Sequence, residues 1–370
     1  MARSLHVRLR DQFDWPLFLV VSTVATIGVV NLYSATSAHV GARSELYIQQ
    51  IYWLALGAAT AVIVASIDYK VYERYAYAAY AGSIATLVAV FIIGNDIRGT
   101  HRWIKIGSFL FQPSEFVKLS LMLAVARYIH RDNRSERWTI RDLIIPGALI
   151  GLPLGLIMAQ PDLGTALIVG LVSVSVLSLV RINRRTFFTV FGGGTVGAWL
   201  LWTFGMKAYQ KERLTSFLDA TNRDVQGSGW QAHQSIVAVG SGRFTGQGFM
   251  RGTQNQHHFL PDTHTDFPFP VWAQEQGFVG ASLVVMLFAF LVLWGLRIAS
   301  TARDRFGTAI AVGVSALFFW HVIFNVGMVT RSLPVVGVTL PFFSYGGSSV
   351  LTILIGVGLL MNVSMRRQAW

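Results

Sequence analysis

The run Phe259-Leu-Pro-Asp-Thr-His-Thr-Asp-Phe267 places an acid, Asp266, between the polar stretch 206–265 and a long apolar run that starts near Phe267. A carboxylate held where water meets an apolar phase is partly desolvated. Its pKa then rises, and it can take a proton from an attacking hydroxyl. The alternative is an N-cap for the helix that starts at Phe267. His264 either orients this acid or is a surface histidine without a role.

The chain has only 18 acids, and three more of them lie in or beside apolar runs. Ionisable groups in a membrane persist where they pair or act. Glu115 and Lys118, in Gln112-Pro-Ser-Glu-Phe-Val-Lys118, are three apart and share a helix face. They read as a structural ion pair, as a charged lining of an outer cavity, or as both. Pro113 suits a first helical turn, with Ser114 or Gln112 as the cap. Asp162, in Gln160-Pro-Asp-Leu-Gly-Thr165, reads first as a cap that accepts from Thr165. Glu275 falls about two helical turns after Asp266, behind Pro268 and Pro270, which favour a kinked or extended entry. It is expected to point back towards the same cavity.

The segment Leu333-Pro-Val-Val-Gly-Val-Thr-Leu-Pro-Phe-Phe-Ser-Tyr-Gly-Gly-Ser-Ser349 cannot be regular helix. Irregular backbone near membrane depth survives only when buried in protein or lining a wet cavity. A re-entrant loop is expected, with Ser344, Tyr345, Ser348 and Ser349 supplying hydroxyls; an ordinary outer turn is the alternative. Gly240-Ser-Gly242 and Gly246-Gln-Gly248 do not form a nucleotide loop, because no strand precedes them and the lysine is missing. They read as tight turns near the membrane surface.

The elements that must position these groups are helices in a bilayer. The 370 residues are 53% hydrophobic and 13% charged, with a mean hydropathy of +0.51. Soluble domains carry roughly 25% charged residues. The chain has no cysteine, which excludes disulfides and thiol chemistry. Its net charge of +12 sits mostly in short loops, a topology signal and not a nucleic-acid surface. Ten apolar runs match the ~20 residues of a crossing: 15–34, 47–66, 75–94, 113–130, 143–160, 163–180, 187–205, 268–296, 307–329 and 346–364. The first is longer than the core of a cleaved signal and reads as an uncleaved helix. Most of the arginines and lysines fall on the side that holds both termini, so that side is cytoplasmic. The expected fold is all-α: one polytopic membrane domain, 1–370, with ten transmembrane helices and a large extracytoplasmic loop, 206–265. Short amphipathic helices are expected in that loop over 211–219 and 230–239.

Several ordered motifs resemble the SEDS family (shape, elongation, division and sporulation) over nearly the whole chain. They are Arg102-Trp103-Ile104, Gln112–Lys118, Gln160–Thr165, Gly252-Thr-Gln254, Phe259-Leu-Pro261, His264-Thr-Asp-Phe267, Asn325-Val-Gly-Met328, Pro334–Val338 and Ser344–Ser348. The Gly252-Thr-Gln254 segment looks more like the elongation branch than the division branch. The resemblance implies a peptidoglycan glycosyltransferase that polymerises lipid II at the outer face of the bacterial inner membrane. Asp266 matches the family's essential acid, and Glu115 and Lys118 match its charged pair. Lys118, Arg102, Arg213 and Arg251 are the expected cations for the diphosphate leaving group. Magnesium or manganese is left open as a cofactor, although no metal-ligand spacing argues for one. The implied partners are the undecaprenyl-linked glycan, a class B penicillin-binding protein transpeptidase and other elongation proteins. A lipid II flippase built on the same cavity is the rival. Two departures stand out: Asp262 where the family carries Glu, and Phe267-Pro-Phe-Pro270 followed by a single acid, Glu275, between Gln274 and Gln276.

Overall fold

The computed structural model describes residues 13–367, apart from 38–43, 98–99, 108, 133–136, 207–210, 212–227, 258 and 261. The elements run α1 (Trp15–Ser37), α2 (Leu46–Ser66), α3 (Tyr69–Ile93), β1 (Asn95–Ile97), β2 (Thr100–Ile106), β3 (Phe109–Phe111), α4 (Pro113–Arg131), α5 (Ile144–Ala159) and α6 (Leu163–Leu177). They continue with α7 (Arg184–Leu200, extended by a π-helical turn, Leu201–Gly205), α8 (Ser228–Ser241), α9 (Thr253–Gln256), α10 (Pro268–Ser300), α11 (Arg305–Val329) and α12 (Gly347–Met365). Each of the ten apolar runs holds a helix. Among the described residues, α1, α2, α3, α7 with its π turn, α10, α11 and α12 are long and apolar enough to cross a membrane. α5 and α6 are shorter and apolar. α4 carries Glu115 and Lys118 and is buried on nearly every side. A charged helix is tolerated in such a bundle when protein, and not lipid, surrounds its ionised groups.

The core lies where α4, α11 and α12 meet. α12 also packs on α2, α4 on α3, and α11 on α6 and α10. α7 stands apart, with Phe187, Phe188, Phe191 and Phe204 all exposed. The all-α expectation needs one amendment. The stretch 95–111 forms a three-stranded antiparallel meander, β1-β2-β3. Its aromatic and β-branched residues (Trp103, Ile104, Ile106, Phe109, Phe111) suit strands, a signal that the neighbouring apolar runs obscure. Arg102 rides on β2.

The helix expected over 230–239 is present as α8. It turns Ala232, Ser235 and Ala238 inward and leaves Trp230, Ile236 and Val237 exposed; Ser235 Oγ donates to Val329 O at 2.6 Å. Its larger apolar side chains are therefore the ones left for a lipid surface. The helix expected over 211–219 falls almost wholly outside the described residues.

α10 is broken at Gly277, whose φ of 66° and ψ of −163° are not helical. Such a break frees backbone groups that need partners where water is absent. Loop 242–248 supplies them. Gln247 N and Gly248 N each donate at 3.0 Å, to Gln274 O and Glu275 O. Phe278 N and Val279 N donate to Arg243 O at 2.9 Å and Phe244 O at 3.2 Å. The glycine-rich loop thus clasps a broken helix, a closer role than turning at the surface. A Cβ on residue 277 would lie 2.3 Å from Gly246 N. That backbone conformation is essentially glycine-only and costs other residues about 1–3 kcal/mol before any clash. Gly277→Ala is expected to lower the thermal unfolding midpoint by several degrees or abolish folded protein, read by thermal denaturation and size-exclusion in detergent.

Candidate functional site

Asp266 sits at the end of a tight turn. Asp262 O accepts from Thr265 N and Asp266 N, both at 3.1 Å, and from Phe267 N at 3.2 Å. Asp262 has a φ of 49°, in the left-handed region. Asp tolerates that region better than residues with longer side chains, because its short carboxylate can bond locally. The departure from the family's Glu therefore suits this turn. α10 starts at once, with Pro268 in its first turn and Phe267 as its N-cap. Pro268 and Pro270 lack N–H groups, so this helix start has fewer donors to cap.

The Asp266 carboxylate lies against the irregular segment 331–346. A Cβ on Gly337 (φ 72°) would be 3.3 Å from Asp266 Oδ2, so the absence of a side chain there leaves room for the acid. The segment is largely buried through Val338, Leu340, Phe342, Phe343 and Ser344. It is irregular protein interior, in keeping with Pro334, Gly337, Pro341 and Gly346, and not an exposed turn. Several of its backbone groups are met by side chains. Asn325 Nδ2 donates to Val338 O at 2.7 Å and to Asp266 O at 3.0 Å. His321 Nδ1 donates to Thr339 O at 2.8 Å. Ser344 Oγ accepts from Leu340 N at 2.7 Å, and Gln50 Nε2 donates to Ser344 O at 3.2 Å. Tyr345 N donates to His264 O at 2.7 Å, tying the segment to the Asp266 turn. Ser344 thus fixes the loop through its own side chain, and His264 contributes its carbonyl. Burial pushes the Tyr345 phenol above its ordinary pKa.

Glu115 and Lys118 meet within the bundle. Lys118 Nζ lies 2.8 Å from Glu115 Oε1 and 3.2 Å from His321 Nε2. Thr339 O only accepts, so His321 carries its proton on Nδ1 and offers Nε2 to the ammonium. The pair is therefore structural and also one bond away from the segment that backs Asp266. Gln112 does not cap α4 with its side chain; its Nε2 donates to Asp162 Oδ2 at 3.2 Å.

Asp162 caps α6 as expected, accepting from Thr165 N at 3.2 Å and Thr165 Oγ1 at 2.9 Å. It also faces Arg102 Nη1 at 3.7 Å. Arg102 Nε donates to Gln160 O at 2.9 Å and Nη2 to Pro161 O. Gly164 brings the start of α6 against Val336 O. Asp266, in the turn before α10, and Gly164, at the start of α6, therefore lie against one loop; the Lys118–Glu115 pair of α4 reaches it through His321, and Arg102 is paired with Asp162, two residues before Gly164.

Glu275 belongs to a different contact set. It accepts from Ser34 Oγ at 2.5 Å and from the N–H groups of Met250 and Gly252, joining α1 to the loop between α8 and α9. Arg251 is exposed on that loop, and Arg213 lies outside the described residues. His321 carried no role in the sequence reading. Its signal was two polar residues at i and i+4, His321 and Asn325, inside an otherwise apolar run.

The fold and site define a multi-pass helical membrane protein that backs a carboxylate and, through His321, a buried lysine onto one irregular interior loop. The chain belongs to the SEDS family: the FTSW_RODA_SPOVE model, cell cycle protein, matches residues 14–369. It is 37% identical to the peptidoglycan glycosyltransferase MrdB of Escherichia coli K12 over 355 residues, covering 96% of this chain and 94% of that one. It is 35% identical to a probable peptidoglycan glycosyltransferase FtsW of Trichlorobacter lovleyi over 361 residues, covering 95% and 93%. Among solved structures, it resembles a chain from work on structural coordination of polymerization and crosslinking by a peptidoglycan synthase complex. The TM-score is 0.82, with 29% identity and coverage of 97% and 99%. The rod shape determining protein RodA of Thermus thermophilus matches with a TM-score of 0.71, 27% identity and coverage of 97% and 98%.

Breaking a buried ion pair strands a charge and costs about 3–5 kcal/mol, whereas replacing both partners is far milder. Glu115→Gln alone is expected to lower unfolding stability strongly, and Glu115→Gln with Lys118→Met to recover most of it. Denaturant or thermal unfolding in detergent checks both.

Proposed function

We propose that this chain is a peptidoglycan glycosyltransferase that polymerises lipid II, with Asp266 as the general base. The activity follows the named relatives, which favour transfer over flipping. The role of Asp266 rests chiefly on one observation: its carboxylate is held against Gly337, on the same loop that Lys118 reaches through His321 and that Gly164, just after the Asp162–Arg102 pair, packs on. The acid accepts the proton of the C4 hydroxyl on the acceptor GlcNAc. That oxygen bonds to the anomeric carbon of the donor MurNAc. The bond from that carbon to the diphosphate breaks, and undecaprenyl diphosphate leaves with the electron pair.

The departing charge calls for cations aimed at it. The Lys118 side chain is 2% exposed and already paired, whereas that of Arg102 is 25% exposed. Accessibility therefore favours Arg102 for direct contact with the diphosphate, and Lys118 for the background potential. An apolar hollow of about 330 Å³ between α5 and α6, lined by Leu154, Met158, Leu163 and Leu167, starts beside Asp162. It suits part of a polyprenyl chain whose head lies near Arg102. Among the described residues no three His, Asp or Glu side chains gather to hold a metal ion. A magnesium or manganese ion would take most of its ligands from the diphosphate.

The proposal includes ten crossings with both termini in the cytoplasm of a bacterium, and loop 206–265 outside the inner membrane. It also includes a class B penicillin-binding protein as the cross-linking partner in cell elongation. The solved relative from a complex coordinating polymerization and crosslinking supports that partner.

Purified protein with lipid II should give a ladder of glycan strands on a gel. Asp266→Asn should cut the rate by about 10²–10⁴-fold, the usual worth of a general base, with an unchanged thermal midpoint. Arg102→Ala should slow the reaction by a smaller factor. A folded Asp266→Asn protein that polymerises at the normal rate would refute the assignment. Repeating the assay with a chelator tests the cation.

A further inference from the structure

We infer that His321 and Asn325 are positioning residues, which hold the Asp266 carboxylate and the Lys118 ammonium in fixed relation across the segment 331–346. The inference rests on the transferase reading of Asp266 and adds two residues to it. They lie four apart on α11 and share one face. Asn325 uses one amide nitrogen to join two stretches of chain, Val338 O at 2.7 Å and Asp266 O at 3.0 Å. His321 pins the next carbonyl, Thr339 O, at 2.8 Å and takes Lys118 on its other nitrogen at 3.2 Å. Consecutive carbonyls of a loop without regular structure are thus fixed by a rigid helix. The residue just before them, Gly337, is the one against which Asp266 Oδ2 rests.

Both side chains are buried, at 2% and 0% exposure. With no water to replace a lost partner, each of these bonds restrains the loop more strongly than it would at the surface. His321 must be neutral to serve both partners, because a protonated ring would set two cations face to face. Without this ladder, segment 337–339 loses its tie to α11, and the acid moves relative to the sugar hydroxyl. Misplacement on the order of 1 Å costs about 10²-fold in rate.

The test is lipid II polymerisation by purified full-length protein, with kcat and KM measured per folded molecule after thermal denaturation of each sample. His321→Phe, Asn325→Leu and the isosteric Asn325→Asp, which cannot donate, should each lower kcat by about 10- to 100-fold and shift KM by less than about threefold. His321→Gln keeps a donor and an acceptor and should retain at least about a third of wild-type kcat. His321→Asn is too short to span both partners and replaces the Phe variant should that one not fold. A wild-type kcat in folded His321→Phe or Asn325→Leu overturns the positioning role, even with a lowered thermal midpoint. So does His321→Gln as slow as His321→Phe. Asp266→Asn, run in parallel, separates the two layers. Wild-type speed there overturns the base assignment and the positioning role together; an inactive Asp266→Asn beside a fast His321→Phe overturns the positioning role alone.

Discussion

Buried irregular backbone needs hydrogen-bond partners for its polar groups, and this structure supplies several of them with side chains from α2 and α11 and from the segment itself. Segment 331–346 interrupts the bundle between α11 and α12. Gln50, His321, Asn325 and Ser344 satisfy its carbonyls and amides. The cost of leaving such groups unpaired in an apolar interior is several kcal/mol each. The partners are therefore as necessary to the fold as the apolar core. They also fix how Asp266 and Lys118 meet that loop, through Asn325 and His321.

The same solution appears at Gly277, where loop 242–248 completes the hydrogen bonds of a broken helix. Glu275 extends that clasp to α1 through Ser34. The two breaks divide the labour. One holds loop 242–248 onto the bundle, and the other lies against the Asp266 carboxylate. Between them α10 runs from the Asp266 turn to its break at Gly277. The prolines of its first turn start the helix cleanly, and the kink comes later, at the glycine.

Much of this was legible in the residues. Apolar runs of membrane length marked the helices within a few positions, because hydropathy is a strong signal when water is excluded along the whole span. Glu115–Lys118 and the Asp162 cap were legible because both are local, set by helical spacing alone. Pro334, Gly337 and Pro341 announced a break in helix at 333–349. Its long-range partners were hidden: nothing local says that His321 meets Lys118, or that Asn325 reaches Asp266. Glu275 misled for the same reason, since spacing along α10 cannot show that Ser34 and the Met250–Gly252 backbone claim it. The meander at 95–111 was lost among stronger apolar signals, although it carries Arg102.

The most direct measurement is a cryo-EM structure of the protein with two lipid-linked disaccharides bound. The account predicts an Asp266 carboxylate oxygen within about 3.2 Å of the acceptor C4 hydroxyl, with the donor diphosphate near Arg102. An acceptor hydroxyl bound far from Asp266, beside some other acid, would contradict it.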